Sequence, residues 1–179
     1  MSVGDRNDPV LGYNFAITLQ DSSTAVATIA ISLNLAPQAG FSECSGLEMM
    51  MTPEEYKQGG QNNTVLKFPS RVSWSNLKLR RGIAVSNDLW EWFYSFVEGH
   101  GKRRDGIISL RNDQQEPIRV WKFVRGLPIK YTGPSMNAGQ SQVAIEEIEI
   151  AHEGLKMLSA TGGKLVEAVA NIVGAIQSL

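Results

Sequence analysis

The side chains able to do chemistry in this chain are few. Its histidines are His100 and His152, and its single cysteine is Cys44. A zinc site needs such ligands at short fixed spacings, and neither histidine stands at one from the other or from Cys44. They read as a loop histidine and a strand-end histidine. Gly99-His100-Gly101-Lys102 invites comparison with a phosphate-binding loop. The comparison fails: Phe96 stands where the leading glycine belongs, Arg103 replaces the required Ser or Thr, and a helix precedes the segment where a strand should. No G-x-S-x-G elbow offers a serine nucleophile. Glu146, Glu147 and Glu149 could do acid–base work if burial split their pKa values. Interspersed with Ile and Ala on an alternating strand, they read instead as a solvated face. Asn62-Asn63-Thr64 matches a glycosylation acceptor but means nothing without a secretory leader. No catalytic residue, metal ligand or cofactor site is therefore expected.

The residues left over suit assembly better than catalysis. Met49, Met50 and Met51 put three flexible apolar side chains beside a polar stretch, more than a monomer surface comfortably exposes. Trp90, Trp92, Phe93, Tyr94 and Phe96 exceed what one buried helical stripe requires, so some must lie against a second sheet or a neighbouring subunit. Lys102-Arg103-Arg104 is a basic tripeptide suited to solvent or to an acidic neighbour.

Bulk properties narrow the class further. With 179 residues and 42% apolar content the chain can bury one real core, and it is neither disordered nor a membrane protein. A formal charge of −1, from 17 basic and 18 acidic residues, removes the general electrostatic case for nucleic acid. The N-terminus lacks the pattern of a secretory signal, and one cysteine forms no internal disulfide, so synthesis and folding in the cytoplasm are expected. The apolar stretch Lys164–Leu179 is shorter than the roughly 20 residues that cross a bilayer, so no stable membrane insertion is expected.

The elements follow from periodicity. Tyr13, Phe15, Ile17 and Leu19 alternate with polar or small residues, as do Ile29, Ile31, Leu33 and Leu35, and the two runs read as a hairpin about the Asp21–Thr24 turn. Ala39–Met51 is extended, Pro53–Asn63 is a loop, and Thr64–Phe68 and Val72–Arg80 are short strands, the latter with a phase shift between Trp74 and Leu77. A helix starts at Asp88 as N-cap, with Glu91 completing a capping box. Leu89, Phe93, Phe96 and Val97 form its apolar stripe, and Gly99 closes it. Strands resume at Gly106–Leu110, Ile118–Tyr131 and Val143–His152, the last with a bulge. The sum is a mainly β fold, an antiparallel barrel or sandwich of about seven or eight strands with one internal α-helix. Past the break at Ser159–Gly163, Leu165, Val169, Ile172, Ile176 and Leu179 fall on one face of an additional C-terminal amphipathic helix. The expected organisation is a β domain over 1–158, then a hinge and docking helix over 159–179.

Five segments in collinear order resemble the phage tail tube family, which includes the inner tubes of contractile phages and extracellular contractile injection systems. They are Asp8–Phe15, Gly40–Glu48, Glu55–Gly60 with Asn63, Leu77–Gly82 with Leu89–Trp92, and Lys130–Pro134 through Asn137–Glu146 to His152–Leu155. The resemblance implies a non-enzymatic subunit of a phage tail-like particle (virion tail or injection system). It implies hexameric rings sharing an inner β-barrel, stacked around a lumen able to take cargo, with sheath and baseplate as partners. The added C-terminal segment and the long second strand suit a tube initiator as an alternative. A β-barrel binding module for an effector is a rival of another class. Under the tube reading, Met49, Met50, Met51, Tyr56, Gly59 and Gly60 are expected between subunits or rings. Lys102, Arg103 and Arg104 are expected on the outer wall, and the C-terminal helix against another subunit.

Overall fold

The computed structural model describes residues 11–21, 40–60 and 63–158. Nine strands and one helix lie among them: β1 Phe15–Asp21, β2 Phe41–Ser45, β3 Met49–Tyr56, β4 Leu66–Trp74, β5 Leu77–Gly82, α1 Asp88–Val97, β6 Arg104–Arg111, β7 Pro117–Thr132, β8 Ile145–Ala151 and β9 Gly154–Leu158. Seven strands form one antiparallel sheet in the order β1-β6-β7-β8-β5-β2, with β9 also on β7, while β3 and β4 pair only with each other.

The 16-residue strand β7 organises the body. Its first part pairs with β6 and β9, its last part with β8. One strand thus serves two stretches of sheet, which is how a sandwich turns a corner. Ile17, Ile108, Phe123 and Leu155 from one stretch meet Leu77, Leu79, Ile148 and Ile150 from the other in a single core, joined by Leu89 and Trp92 of α1. The mainly β, antiparallel class read from the sequence is the observed one.

Local details differ in instructive ways. The region expected as the loop Pro53–Asn63 is strand as far as Tyr56, and Thr64–Phe68 and Val72–Arg80 resolve into β4 and β5 with a break at Ser75–Asn76. The phase shift there marks the chain leaving one sheet for another. No bulge interrupts β8. Glu146, Ile148 and Ile150 all face inward, and a glutamate in a core position mimics a change of phase. The N-cap of α1 is Asn87, without a side-chain cap bond, and Asp88, expected as the cap, is instead engaged by Arg81 and Ser86. The buried helix residues are Leu89 and Trp92, with Phe93 and Phe96 half-buried and Val97 exposed. Gly99 does close the helix. With φ of +81° it lets its own N–H reach the Phe96 carbonyl and the His100 N–H reach that of Ser95, a Schellman closure. The strand β9 had no counterpart in the periodicity reading. The expected run Ala25–Leu35 and the helix carrying Leu165, Val169, Ile172, Ile176 and Leu179 lie outside the described residues.

Candidate assembly surface

The strands β3 and β4 make a two-stranded arm. Every residue of β3 is exposed, and every residue of β4 except Trp74. Met49, Met50 and Met51 are 66%, 63% and 51% exposed, with Leu66, Phe68 and Val72 exposed on the partner strand. The register sets Met49 opposite Trp74, Met51 opposite Val72 and Tyr56 opposite Leu66, and it shifts between Met51 and Pro53. Pro53 stands opposite Pro69, so neither residue can donate to the ladder there. Strand prolines belong at edges, and both strands of an isolated ribbon are edges. An isolated ribbon of this kind is marginal in water, and this one carries apolar side chains that no other element among the described residues covers. Tyr56 lies exposed at the end of β3, and Gly59 and Gly60 lie exposed in the turn that follows.

What holds the arm is its stem. Gly46 has φ of +90°, and a Cβ there would sit 2.0 Å from the Asn76 carbonyl oxygen, so only glycine lets the two connections cross. Beside it the Glu48 N–H bonds the Gly46 carbonyl at 2.8 Å, and the Ser75 hydroxyl donates to Glu48 at 3.1 Å. Asn76 Nδ2 donates to Glu149 at 2.9 Å and so fastens the link to β8.

Behind the stem lies a buried ionic node. Arg81 on β5 is 2% exposed; its Nε donates to Glu146 on β8 at 2.6 Å and its Nη2 to Asp88 at 2.6 Å. The Tyr131 hydroxyl on β7 donates to the other Glu146 oxygen at 2.7 Å, and the guanidinium lies 5.9 Å from the centre of the Phe41 ring. Glu147 and Glu149 do lie on a less buried face, as expected. Glu146 does not, because Arg81 is directly opposite it in the sheet and cannot be left buried alone. Burial opposes the charge on Asp88, but the bonds from Arg81 and Ser86 outweigh it and hold the carboxyl below its ordinary range. Burial, then the bond to Glu146, pushes the Tyr131 phenol up to about 12. The node joins three strands to the start of α1, so its role is positional.

On the outer side of α1, Trp90 and Tyr94 stack at 5.8 Å, and Trp90 meets the Tyr131 ring edge-on at 5.2 Å. The Trp92 indole N–H donates to the Lys102 carbonyl at 2.9 Å. The expected basic patch is partly used within the chain. Arg103 bonds Glu153 at 2.8 Å, and Arg104 reaches Asp21 at 3.3 Å while lying over the Trp92 ring; the Lys102 side chain is exposed. The inward glutamate and the Trp92–Arg104 contact escaped sequence reasoning. The signal present was a carboxylate in phase with Ile148 and Ile150.

Among the described residues no three His, Cys, Asp or Glu side chains gather as metal ligands. Burial pushes the Cys44 thiol up to about 11, so it stays protonated and unreactive near neutrality. No helix among the described residues is long and apolar enough to cross a membrane.

A β body carrying an arm whose apolar residues are exposed is an architecture suited to assembly. The chain belongs to the family of the T4-like virus tail tube protein gp19, whose family model matches residues 12–156. Solved structures agree on the fold. A chain in the six-fold symmetrised baseplate of the anti-feeding prophage has a TM-score of 0.73 at 20% identity, covering 87% of this chain and 99% of that one. A chain in the sheath–tube complex of the PVC extracellular contractile injection system, in its extended state, has 0.70 at 24%, covering 86% and 94%. A chain in the tube-terminating cap of the anti-feeding prophage has 0.72 at 23%, covering 89% and 100%. No curated protein matches the chain significantly by sequence. The chain is thus a tail-tube-like component of tail-like particles, and its family is one of structural tube proteins.

Proposed function

We propose that this protein is a non-enzymatic subunit of the inner tube of a contractile injection apparatus, closing into hexameric rings that stack around a central channel. The observation that carries this reading is the β3–β4 arm, whose apolar residues have no cover among the described residues. A second copy supplies that cover without a new partner surface, and repetition by symmetry supplies it to every subunit. Ring closure would also protect the sheet edges that β1 and β2 form among the described residues, since unpaired edges invite aggregation. Met49, Met50, Met51, Tyr56, Gly59 and Gly60 then lie between subunits or successive rings. The outer wall faces the sheath with α1 and the exposed Lys102, so attachment to an acidic neighbour weakens as salt rises. The lumen is free to hold cargo, and the helix carrying Leu165, Val169, Ile172, Ile176 and Leu179 docks on a neighbouring subunit.

The test is to replace Met49, Met50 and Met51 together by serine. Because these side chains are exposed in the free subunit, the variant should melt close to the unmodified protein. Negative-stain imaging should nevertheless show no tubes. Tubes of normal length from this variant would refute the assigned contact. A place at the baseplate end, as tube initiator, is the second reading. It is favoured by the likeness to a baseplate chain, which is as strong as that to the tube and cap chains. Labelling the subunit and locating it along the particle separates the two.

A further inference from the structure

His152 sits where the arm meets the body, between the end of β8 and the start of β9. Its ring lies 6.2 Å from that of Trp74, the last residue of the arm, and 6.0 Å from that of Phe123 in the core. Its Nε2 is 3.1 Å from the Ser75 carbonyl oxygen in the link between β4 and β5. A carbonyl only accepts, so Nε2 carries the proton and Nδ1 is the bare nitrogen of a neutral ring. That Nδ1 is buried without a hydrogen-bond partner. A bare lone pair is tolerable there, whereas a positive charge in so desolvated a position is costly even with the Gly154 backbone beside the ring.

We propose that His152 is a pH-operated latch on the β3–β4 arm: the neutral ring wedges the stem against the core, and the protonated ring withdraws into water and frees it. The surroundings offer no counter-charge to hold an imidazolium in place. Glu48, under the arm, accepts from the Ser75 hydroxyl, and Glu149 on β8 accepts from Asn76. Glu153, next in the chain, pairs with Arg103 ahead of β6 and with Arg125 on β7. No ion pair among the described residues includes His152. Burial holds the imidazole below its ordinary 6.5, outweighing the Ser75 and Gly154 backbone groups, which favour protonation. The closed stem therefore binds fewer protons than the open one, so closure is favoured at neutral pH and lost as pH falls through the depressed pKa.

Amide hydrogen exchange on the full-length chain, diluted to the free subunit, tests this directly. Peptides from 49–56 and 66–74 are followed against β6 at about pH 7.5 and about pH 5, corrected for the intrinsic pH dependence of exchange. Opening of the arm should rise several-fold toward the lower pH, with a ceiling of about 30-fold set by an ordinary imidazole pKa. His152→Phe keeps the aromatic wedge without a titrating group and should abolish that rise. An unchanged arm in the unmodified protein, or the same rise in His152→Phe, would overturn the proposal. Should His152→Phe not fold, an NMR titration of the unmodified protein decides. A His152 midpoint below the ordinary value, with the Trp74 indole shifting in step, supports the latch; a midpoint at or above it, or a static Trp74, overturns it. The free subunit is the object throughout, so the outcome is independent of whether subunits build rings.

Discussion

Replacing Glu146 by leucine removes the carboxylate facing Arg81 while leaving the guanidinium almost wholly buried. Asp88 remains beside it, but that side chain is 45% exposed, so its attraction is screened by water. Breaking a buried pair from one side costs about 3–5 kcal/mol, mostly from the stranded charge. The Tyr131 hydroxyl also loses its acceptor, at about 1–3 kcal/mol if it finds no water. Against a typical domain stability of about 5–15 kcal/mol this is a large fraction. At roughly 2–4 °C per kcal/mol for a chain of this size, the melting temperature should fall by about 6–20 °C. The decisive comparison is the double variant Arg81→Met with Glu146→Leu. It removes both charges and keeps apolar volume, so it should recover most of the loss. Guanidinium melts of the dissociated subunit, followed by circular dichroism near neutral pH, give the needed stabilities. If the double variant is as unstable as Glu146→Leu, or if Glu146→Leu melts unchanged, the stranded-charge account of the node is wrong.

Trp92→Ala should cost about 3–5 kcal/mol, and Phe93→Ala distinctly less, because Trp92 is fully buried and Phe93 only half; chemical denaturation ranks them. Asp88 has a folded pKa below its ordinary 3.8, so its contribution is present above that value and is lost as pH falls through the folded one. Acid titrations of the unmodified protein and of Asp88→Asn should therefore converge at the lowest pH and separate above it; parallel curves would contradict the assignment. A chain ending at Ser159 retains every core residue as far as Leu155, so its melting temperature should change little while it fails to enter the full particle. A drop of many degrees would instead place the 164–179 segment in the protein's own core.

Local periodicity was enough for much of the body. Ile17 and its neighbours, Leu77 and Leu79, and Ile148 and Ile150 declare strands through a period of two. The helix 88–97 and its Gly99 closure are visible because helical spacing of apolar residues and a closing glycine depend on nearest neighbours alone, although the expected cap at Asp88 is not the one formed. The collinear motifs pointed to the tail tube family for the same reason: they are ordered along the chain. The arm was harder to read. A ribbon exposed on both faces has no inward side, so β3 and β4 lack the alternation that burial imposes, and the polar, proline-containing stretch after Met51 passes for a loop. The node was hidden for the opposite reason. Arg81 and Glu146 are 65 residues apart, and each alone looks like a solvent charge. Only the antiparallel register of β5 on β8 sets them face to face and moves both into the core. The proposed latch at His152 likewise depends on the pairing of β5 with β8, which sets Leu77 opposite Ile150 and so brings the β8–β9 junction to the stem of the arm. Which residues form strands was decided by neighbours in the chain; which charges are buried, and which apolar surface is left uncovered, was decided by contacts that close only when distant strands pair.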